Sequence, residues 1–142
     1  MRIVVDTVVF VRALINPYGR WGRLVFEYAD RYDLVLSEPI TREVLEVLHR
    51  PELTRKYRSV PTRNLATLMA RLEALQLVEL ATIPAVSRDS SDDKFLATAK
   101  AAGAAYLVSE DEDLLTLKEY EGIPIINAGA FLHLLEQAQE HA

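Results

Sequence analysis

The chain has 142 residues, half of them hydrophobic and 26% charged, with 21 acidic against 16 basic side chains for a formal charge of −5. That length and composition suit a single domain over 1–142 with a sizeable core and exclude a disordered chain. Without cysteine there are no disulfides, zinc ribbons, iron–sulfur clusters or thiol nucleophiles, so any metal must be held by oxygen or imidazole. No stretch approaches the roughly 18 apolar residues that cross a bilayer, and Asp6 lies too near Met1 for a signal-peptide core, so the expectation is a cytoplasmic protein with no membrane contact.

The apolar pattern alternates short β-branched runs with longer helical stretches, and no repeat or linker interrupts it. Residues 2–6 (RIVVD) read as a buried first strand, and 8–14, stopped by Asn16-Pro17, as a helix. A helix is predicted over 21–32, a short strand over 34–36, and a helix from Ser37-Glu38-Pro39 to His49 with Val44, Leu45, Val47 and Leu48 facing the core. Residues 51–61, bounded by prolines, read as an irregular or short helical connection. Leu65, Leu68, Met69, Leu72 and Leu75 then trace another amphipathic helix. A weak strand over 77–80 and a polar loop over 84–91 precede a helix over 92–102, a strand over 105–108, a helix over 113–120, a strand over 123–126 and a last helix over 128–139. This βα order predicts a parallel sheet covered on both faces, with ligands beyond the carboxyl ends of its strands.

Polar residues that immediately follow predicted strands are therefore the candidates, and most are acids. Asp6 ends the first strand, Asp111 follows the strand at 105–108 through Ser109 and Glu110, Asp92-Asp93 opens a helix, and Glu43 lies about a turn into the helix after the second strand. Several have a structural alternative: Asp92 and Asp93 after Ser90-Ser91 suit a helix N-terminus, Ser109 with Glu112 fits a capping box, and Glu43 suits a solvated helix face. A carboxylate ending an apolar strand, as Asp6 does, needs a donor or a cation where it is buried. Carboxylates crowded together repel unless a cation neutralises them, and the hard ions Mg²⁺ and Mn²⁺ suit oxygen donors and phosphate substrates. Such an ion supports phosphodiester hydrolysis and lets a polyanion approach an acidic protein.

The segments VVDTVVFVRALI, SEPITREVLEVL and RDSSDDKFLATAKAAGAAYLVSEDEDLL together resemble the PIN-domain nucleases, and within them the VapC-like toxins of prokaryotic toxin–antitoxin pairs. The likeness spans residue 2 to about residue 131. It implies a three-layer α/β/α sandwich with a central parallel sheet and an acidic pocket that binds Mg²⁺ or Mn²⁺ and cuts RNA. Position by position, Asp6 matches the first-strand acid, Glu43 the helix acid, Asp93 the central acid and Asp111 the last one, with Thr7 and Ser109 as accompanying hydroxyls. Asp6, Asp93 and Asp111 are the implied metal ligands, and Glu43 either completes the shell through water or helps deprotonate the attacking water. Asp92 and Asp113 sit beside matched positions and are candidates to substitute or assist. Position 8, commonly Asn or Ser in that family, is Val8 here, which removes a polar contact to Asp6. The resemblance also implies a cognate antitoxin and a homodimer.

For RNA contacts the candidates lie in 42–63: Arg42, Arg50, Arg55, Lys56, Arg58 and Arg63, with Tyr57 to stack a base, although a solvated helix and loop would look the same. The charge split, taken alone, leans toward ordinary solvated faces and decides nothing by itself: residues 1–71 hold 12 basic and 8 acidic side chains, and 72–142 hold 4 and 13. Two rivals fit less well. A phosphoacceptor receiver domain needs an acid pair at the first strand, where Asp6 stands alone, and a P-loop enzyme needs GxxxxGK[ST], which does not occur. A PIN scaffold that binds RNA or protein with weak or no catalysis is the remaining alternative.

Overall fold

A computed structural model describes residues 1–56, 62–83, 85 and 90–140. The first strand, β1 (Arg2–Val5), is central, and Ile3, Val4 and Val5 are all fully buried. Three successive buried side chains mean that both faces of the strand are covered, which is why the run carries no polar alternation. Strands β2 (Asp33–Leu34) and β5 (Tyr106–Val108) flank it in parallel; β7 (Ile123–Ile126) lies parallel beyond β5, and β6 (Glu119–Tyr120) closes that edge antiparallel to β7. A separate parallel pair joins β3 (Leu36–Ser37) to β4 (Leu77–Val78).

The chain leaves β1 through α1 (Thr7–Ile15) toward β2 on one side and comes back on the other side as β5. The gap between the carboxyl ends of β1 and β5 is therefore the point at which strand order reverses, where an open α/β sheet forms its ligand crevice. Helix α3 (Glu38–Leu48) packs on α1, α6 (Asp93–Ala102) packs on β1 and β5, and the short α2 (Arg20–Gly22) packs on α8 (Ala128–Glu140), giving the three-layer α/β/α arrangement expected from the sequence. Helix α5 (Thr62–Ala74) buries Leu68 and Leu72 and rests Leu65 and Met69 against the core.

Several local expectations are corrected. The helix expected over 21–32 is α2 followed by a π turn at Arg23–Glu27 and a 3₁₀ turn at Ala29–Arg31. Its irregular start follows from Gly22, where a Cβ would lie 2.0 Å from the Pro17 carbonyl oxygen. The strand expected over 34–36 divides at Val35, so that Leu34 and Leu36 join different sheets. Ser37 stands at the N-cap of α3 without capping it; its hydroxyl is 2.7 Å from that of Thr98 on α6, and both are fully buried. The helix expected over 113–120 is only α7 (Glu112–Leu115). The chain then turns into β6, and Glu121 and Gly122, with φ of 51° and 79°, form a two-residue hairpin of the kind that matches strand twist. Helix α6 ends on Gly103 at φ 61°, where the Ala104 N–H donates to the Ala99 carbonyl at 2.9 Å, the left-handed stop that glycine accommodates at least cost. Residues 51–56 form α4 (Pro51–Lys56), while 57–61 and most of the loop expected over 84–91 lie outside the described residues.

Candidate metal centre at the carboxyl ends of the central strands

Asp6 follows β1 and is 3% exposed. Its backbone N–H donates to the Val108 carbonyl at 3.0 Å, which continues the β1–β5 ladder and fixes where its side chain projects. Asp6 is also the N-cap of α1, with Oδ1 accepting from the Val9 N–H at 3.1 Å, a structural role that the sequence had not suggested. Oδ2 accepts from the Ser109 hydroxyl and from the Glu110 N–H at 3.0 Å. Burial pushes the Asp6 carboxyl above the ordinary carboxylate value, and the nearby Glu110 charge adds to this, while the bonds from Ser109, Glu110 and Val9 draw it back down.

Ser109 is fully buried and couples two of the acids: it donates to Asp6, and its oxygen accepts from the Asp111 N–H at 2.9 Å. This replaces the capping box expected of Ser109 and Glu112. The N-cap of α7 is Asp111, whose Oδ1 accepts from the Asp113 N–H at 2.8 Å. Asp92 closes a 3₁₀ turn (Ser90–Asp92) that leads into α6 and is buried. Asp92, Asp111 and Asp113 each offer one carboxylate oxygen, and the three oxygens lie within 4.8 Å of one another.

Asp92 and Asp111 open onto a cavity of about 380 Å³ that is also lined by Asp6, Thr7, Glu43 and Arg50 among polar residues and by Val8, Val11, Val47 and Phe95. Of the acid pair that starts α6, Asp92 lines the cavity; Asp93, one residue on, is 3% exposed and is not among its lining residues. One residue of helix turns a side chain by about 100°, so both members of a DD pair cannot face one pocket equally. The spatial grouping thus contains Asp92 where the sequence pattern had pointed to Asp93.

Glu43 does not take the solvated helix-face role. Arg50 pairs with Glu46 at 3.1 Å, whereas Glu43 turns inward, accepting from the Thr7 hydroxyl through Oε2 and facing Lys94 Nζ at 3.0 Å through Oε1. Val8 is 41% exposed in the cavity wall and supplies no polar atom, yet Asp6 is already oriented by three donors. Two participants were missed in the sequence. Glu110 accepts from Trp21 Nε1 at 3.2 Å and from the Ala128 N–H at 3.0 Å, fastening the Ser109–Asp111 segment to α2 and α8. Lys94 is the other. Partners so far apart in sequence leave no local pattern, although an acid beside Asp111 was a visible signal for Glu110.

The basic candidates disperse. Arg42 pairs with Glu38 on an exposed helix face, Arg55 is exposed, and Arg50 lines the cavity. Tyr57 and Arg58 lie outside the described residues, as do the side chains of Lys56 and Arg63. Arg12 and Arg20 sit over the Trp21 ring at 5.1 and 5.4 Å. Among the described residues no helix is long and apolar enough to cross a membrane.

The donor set suits a hard divalent cation, because among the described residues the side-chain ligands that line the cavity or join the acidic group are carboxylate or hydroxyl oxygens. A family model described as PIN domain matches residues 2–113. The uncharacterized protein MJ1680 of Methanocaldococcus jannaschii is 33% identical over 122 residues, which cover 84% of this chain and 76% of that protein. The crystal structure of PAE2754 from Pyrobaculum aerophilum superposes with a TM-score of 0.57 at 19% identity, covering 96% of this chain and 90% of that one, a likeness of fold.

Proposed function

The chain belongs to the PIN domain family, a family of nuclease type, and from that premise we propose that it is a Mg²⁺- or Mn²⁺-dependent endoribonuclease that hydrolyses RNA phosphodiester bonds, acting as the toxin of a toxin–antitoxin pair. One observation supports this reading above the rest: three carboxylate oxygens, from Asp92, Asp111 and Asp113, lie within 4.8 Å of one another beside the buried Asp6. Three carboxylate oxygens this close repel one another where all are charged, and a divalent cation among them would offset that repulsion. Asp92, Asp111 and Asp113 would hold the ion, with Asp6 behind them at the strand end. When bound, a divalent ion generates a nucleophile from water at neutral pH and offsets the charge that builds up on phosphate.

The remaining work falls to this chain's own groups. Ser109 and the Glu110 N–H hold the Asp6 carboxyl in one orientation, and Thr7 with Lys94 does the same for Glu43. Arg50, which lines the same cavity, is the candidate to meet a backbone phosphate, where a guanidinium gives planar, charge-assisted bonds. The apolar wall of Val8, Val11 and Val47 narrows the approach without competing for the ion. An antitoxin that plugs the acidic pocket and a homodimeric assembly belong to the same proposal.

The test is incubation of purified protein with total RNA in Mn²⁺ or in EDTA, with cleaved ends mapped, beside Asp92→Asn and Asp111→Asn. The proposal requires discrete cuts that vanish in EDTA and in both variants. A folded protein that binds Mn²⁺ but cuts no RNA would leave the scaffold reading in its place.

A further inference from the structure

Trp21, the chain's sole tryptophan, packs against the core and donates its indole N–H to Glu110 Oε1 at 3.2 Å. Two guanidinium groups lie over its ring: the central carbon of Arg12 is 5.1 Å from the ring centroid and that of Arg20 is 5.4 Å. Both arginines are exposed. Among the described residues Arg12 reaches one carboxylate, Glu110 at 3.8 Å, which also serves Trp21 and the Ala128 N–H, while Arg20 has no ion pair or hydrogen bond. Arg20 Nη1 lies 3.5 Å from where a Cβ on Gly129 would stand, so this guanidinium rests against the first turn of α8, which carries no acid. Two cations held on one fixed ring are thus matched by a single carboxylate, and the excess positive charge has a defined place.

That place borders the acidic cavity by two routes. Val8, in the cavity wall, precedes Arg12 by four residues of α1, so the two lie on one helix face a turn apart. Glu110 immediately precedes Asp111, which lines the cavity, and its N–H donates to Asp6. The geometry points to a phosphate-binding subsite in which Arg12 and Arg20, held on the Trp21 ring, grip the backbone of an RNA strand beside the phosphate that enters the cavity. The inference rests on RNA as the ligand in the reading above and adds where the flanking strand runs. Guanidinium groups meet phosphate oxygens with paired, charge-assisted bonds. Stems already ordered against an aromatic ring lose less side-chain entropy on binding than free surface arginines do. The cavity's carboxylates repel a polyanion, and excess positive charge beside them offsets that repulsion for the neighbouring nucleotides. Continuity with the cavity favours a nucleic-acid strand over an acidic peptide, because a strand cut beside Asp111 must pass its next phosphates over the cavity's edge.

The experiment measures binding of a labelled oligouridylate in EDTA by fluorescence anisotropy over a series of salt concentrations, on wild type, Arg20→Gln, Arg20→Lys and Arg12→Gln, beside KM and kcat for Mn²⁺-dependent cleavage of a longer RNA. Arg20→Gln and Arg12→Gln are each expected to bind about fivefold more weakly, with the slope of log K against log salt shallower by about 0.7, the share of one phosphate on a single strand. Arg20→Lys keeps the wild-type slope, KM for cleavage rises in Arg20→Gln by the same factor as Kd, and kcat stays unchanged. Unlabelled oligouridylate shifts the emission of Trp21 in wild type. An arginine that only shields the Trp21 ring would alter stability and leave the salt slope alone. A folded Arg20→Gln or Arg12→Gln with wild-type affinity and slope, Trp21 emission that ignores bound RNA, or polyglutamate that competes as well as oligouridylate at equal charge concentration would each overturn the inference, the last in favour of an acidic peptide. RNA cut in Mn²⁺ with KM unchanged in Arg20→Gln would overturn it and leave the endoribonuclease reading standing. Wild type that binds oligouridylate through Arg20 yet cuts no RNA would overturn that reading and leave the subsite.

Discussion

Removing the Ser109 hydroxyl by Ser109→Ala cuts the link between two acids at once. The hydroxyl donates to Asp6 and accepts from the Asp111 N–H at 2.9 Å, and the residue is fully buried. A hydrogen bond to a charged group contributes about 1.5–3 kcal/mol, and a stranded N–H costs about 1–3 kcal/mol where water cannot reach it. Asp111 is half-buried, so its N–H costs the lower figure, and Asp6 keeps the Val9 and Glu110 N–H donors. The expected loss is about 2–3 kcal/mol, or roughly 6–10 °C in the unfolding midpoint for a chain of this size.

The pH dependence of that loss separates charge from packing. Asp6 has a raised value in the fold, so over the interval from the ordinary carboxyl range up to that value the folded state binds more protons than the unfolded one, and the Asp6 contribution to stability declines as pH rises. The Ser109 bond lowers the Asp6 value, so deleting it widens the interval and deepens the decline. The destabilisation by Ser109→Ala is therefore larger at about pH 7 than at about pH 2.5, well below the ordinary carboxyl value, where the carboxyl is protonated in both states. Urea unfolding at both pH values measures it. Equal losses, or a loss below about 0.5 kcal/mol, would refute the coupling.

Other outcomes follow from placement. Asp92→Asn is expected to weaken Mn²⁺ binding at least about tenfold and Asp93→Asn to leave it within about threefold, measured by titration calorimetry; the reverse order would return Asp93 to the ligand set. Gly22→Ala sets a Cβ 2.0 Å from the Pro17 carbonyl oxygen, against backbone that cannot swing aside, so chemical denaturation should show a loss of about 3 kcal/mol or more. A loss under about 1 kcal/mol would mean that the turn at 17–22 relaxes freely.

The β-branched runs at 2–5 and 123–126 declared themselves because strands buried on both faces must be apolar throughout, and the α5 stripe did so through its period. Strands β2, β3, β4 and β6 have two residues each, too few for any period, and are defined by partners distant in sequence. Strand ends marked Asp6 and Asp111 as neighbours, since the polar residue after an apolar strand is carried to one rim by the sheet. The choice between Asp92 and Asp93 was invisible, because it depends on the phase in which a 3₁₀ turn hands over to α6. The Glu43–Lys94 and Trp21–Glu110 pairs were invisible for the same reason as the short strands.

Capping and metal binding, set against each other as rival explanations of these acids, turn out to be compatible. Capping consumes one oxygen of a carboxyl group: Asp111 uses Oδ1 for the Asp113 N–H and retains Oδ2, while Asp6 uses Oδ1 for Val9. Helix N-termini also carry partial positive charge, so α1 and α6, which begin beside Asp6 and Asp92, lower the cost of holding these anions before any ion arrives. The two roles can then be separated by substitution. Asparagine caps about as well as aspartate but lacks the charge, whereas alanine does neither. Asp111→Asn is expected to lose Mn²⁺ binding while unfolding within about 0.5 kcal/mol of wild type, and Asp111→Ala to lose binding and about 1 kcal/mol of stability as well. If both variants unfold alike and both still bind Mn²⁺, Asp111 serves neither the helix nor the ion, and the division of labour between its two oxygens is wrong.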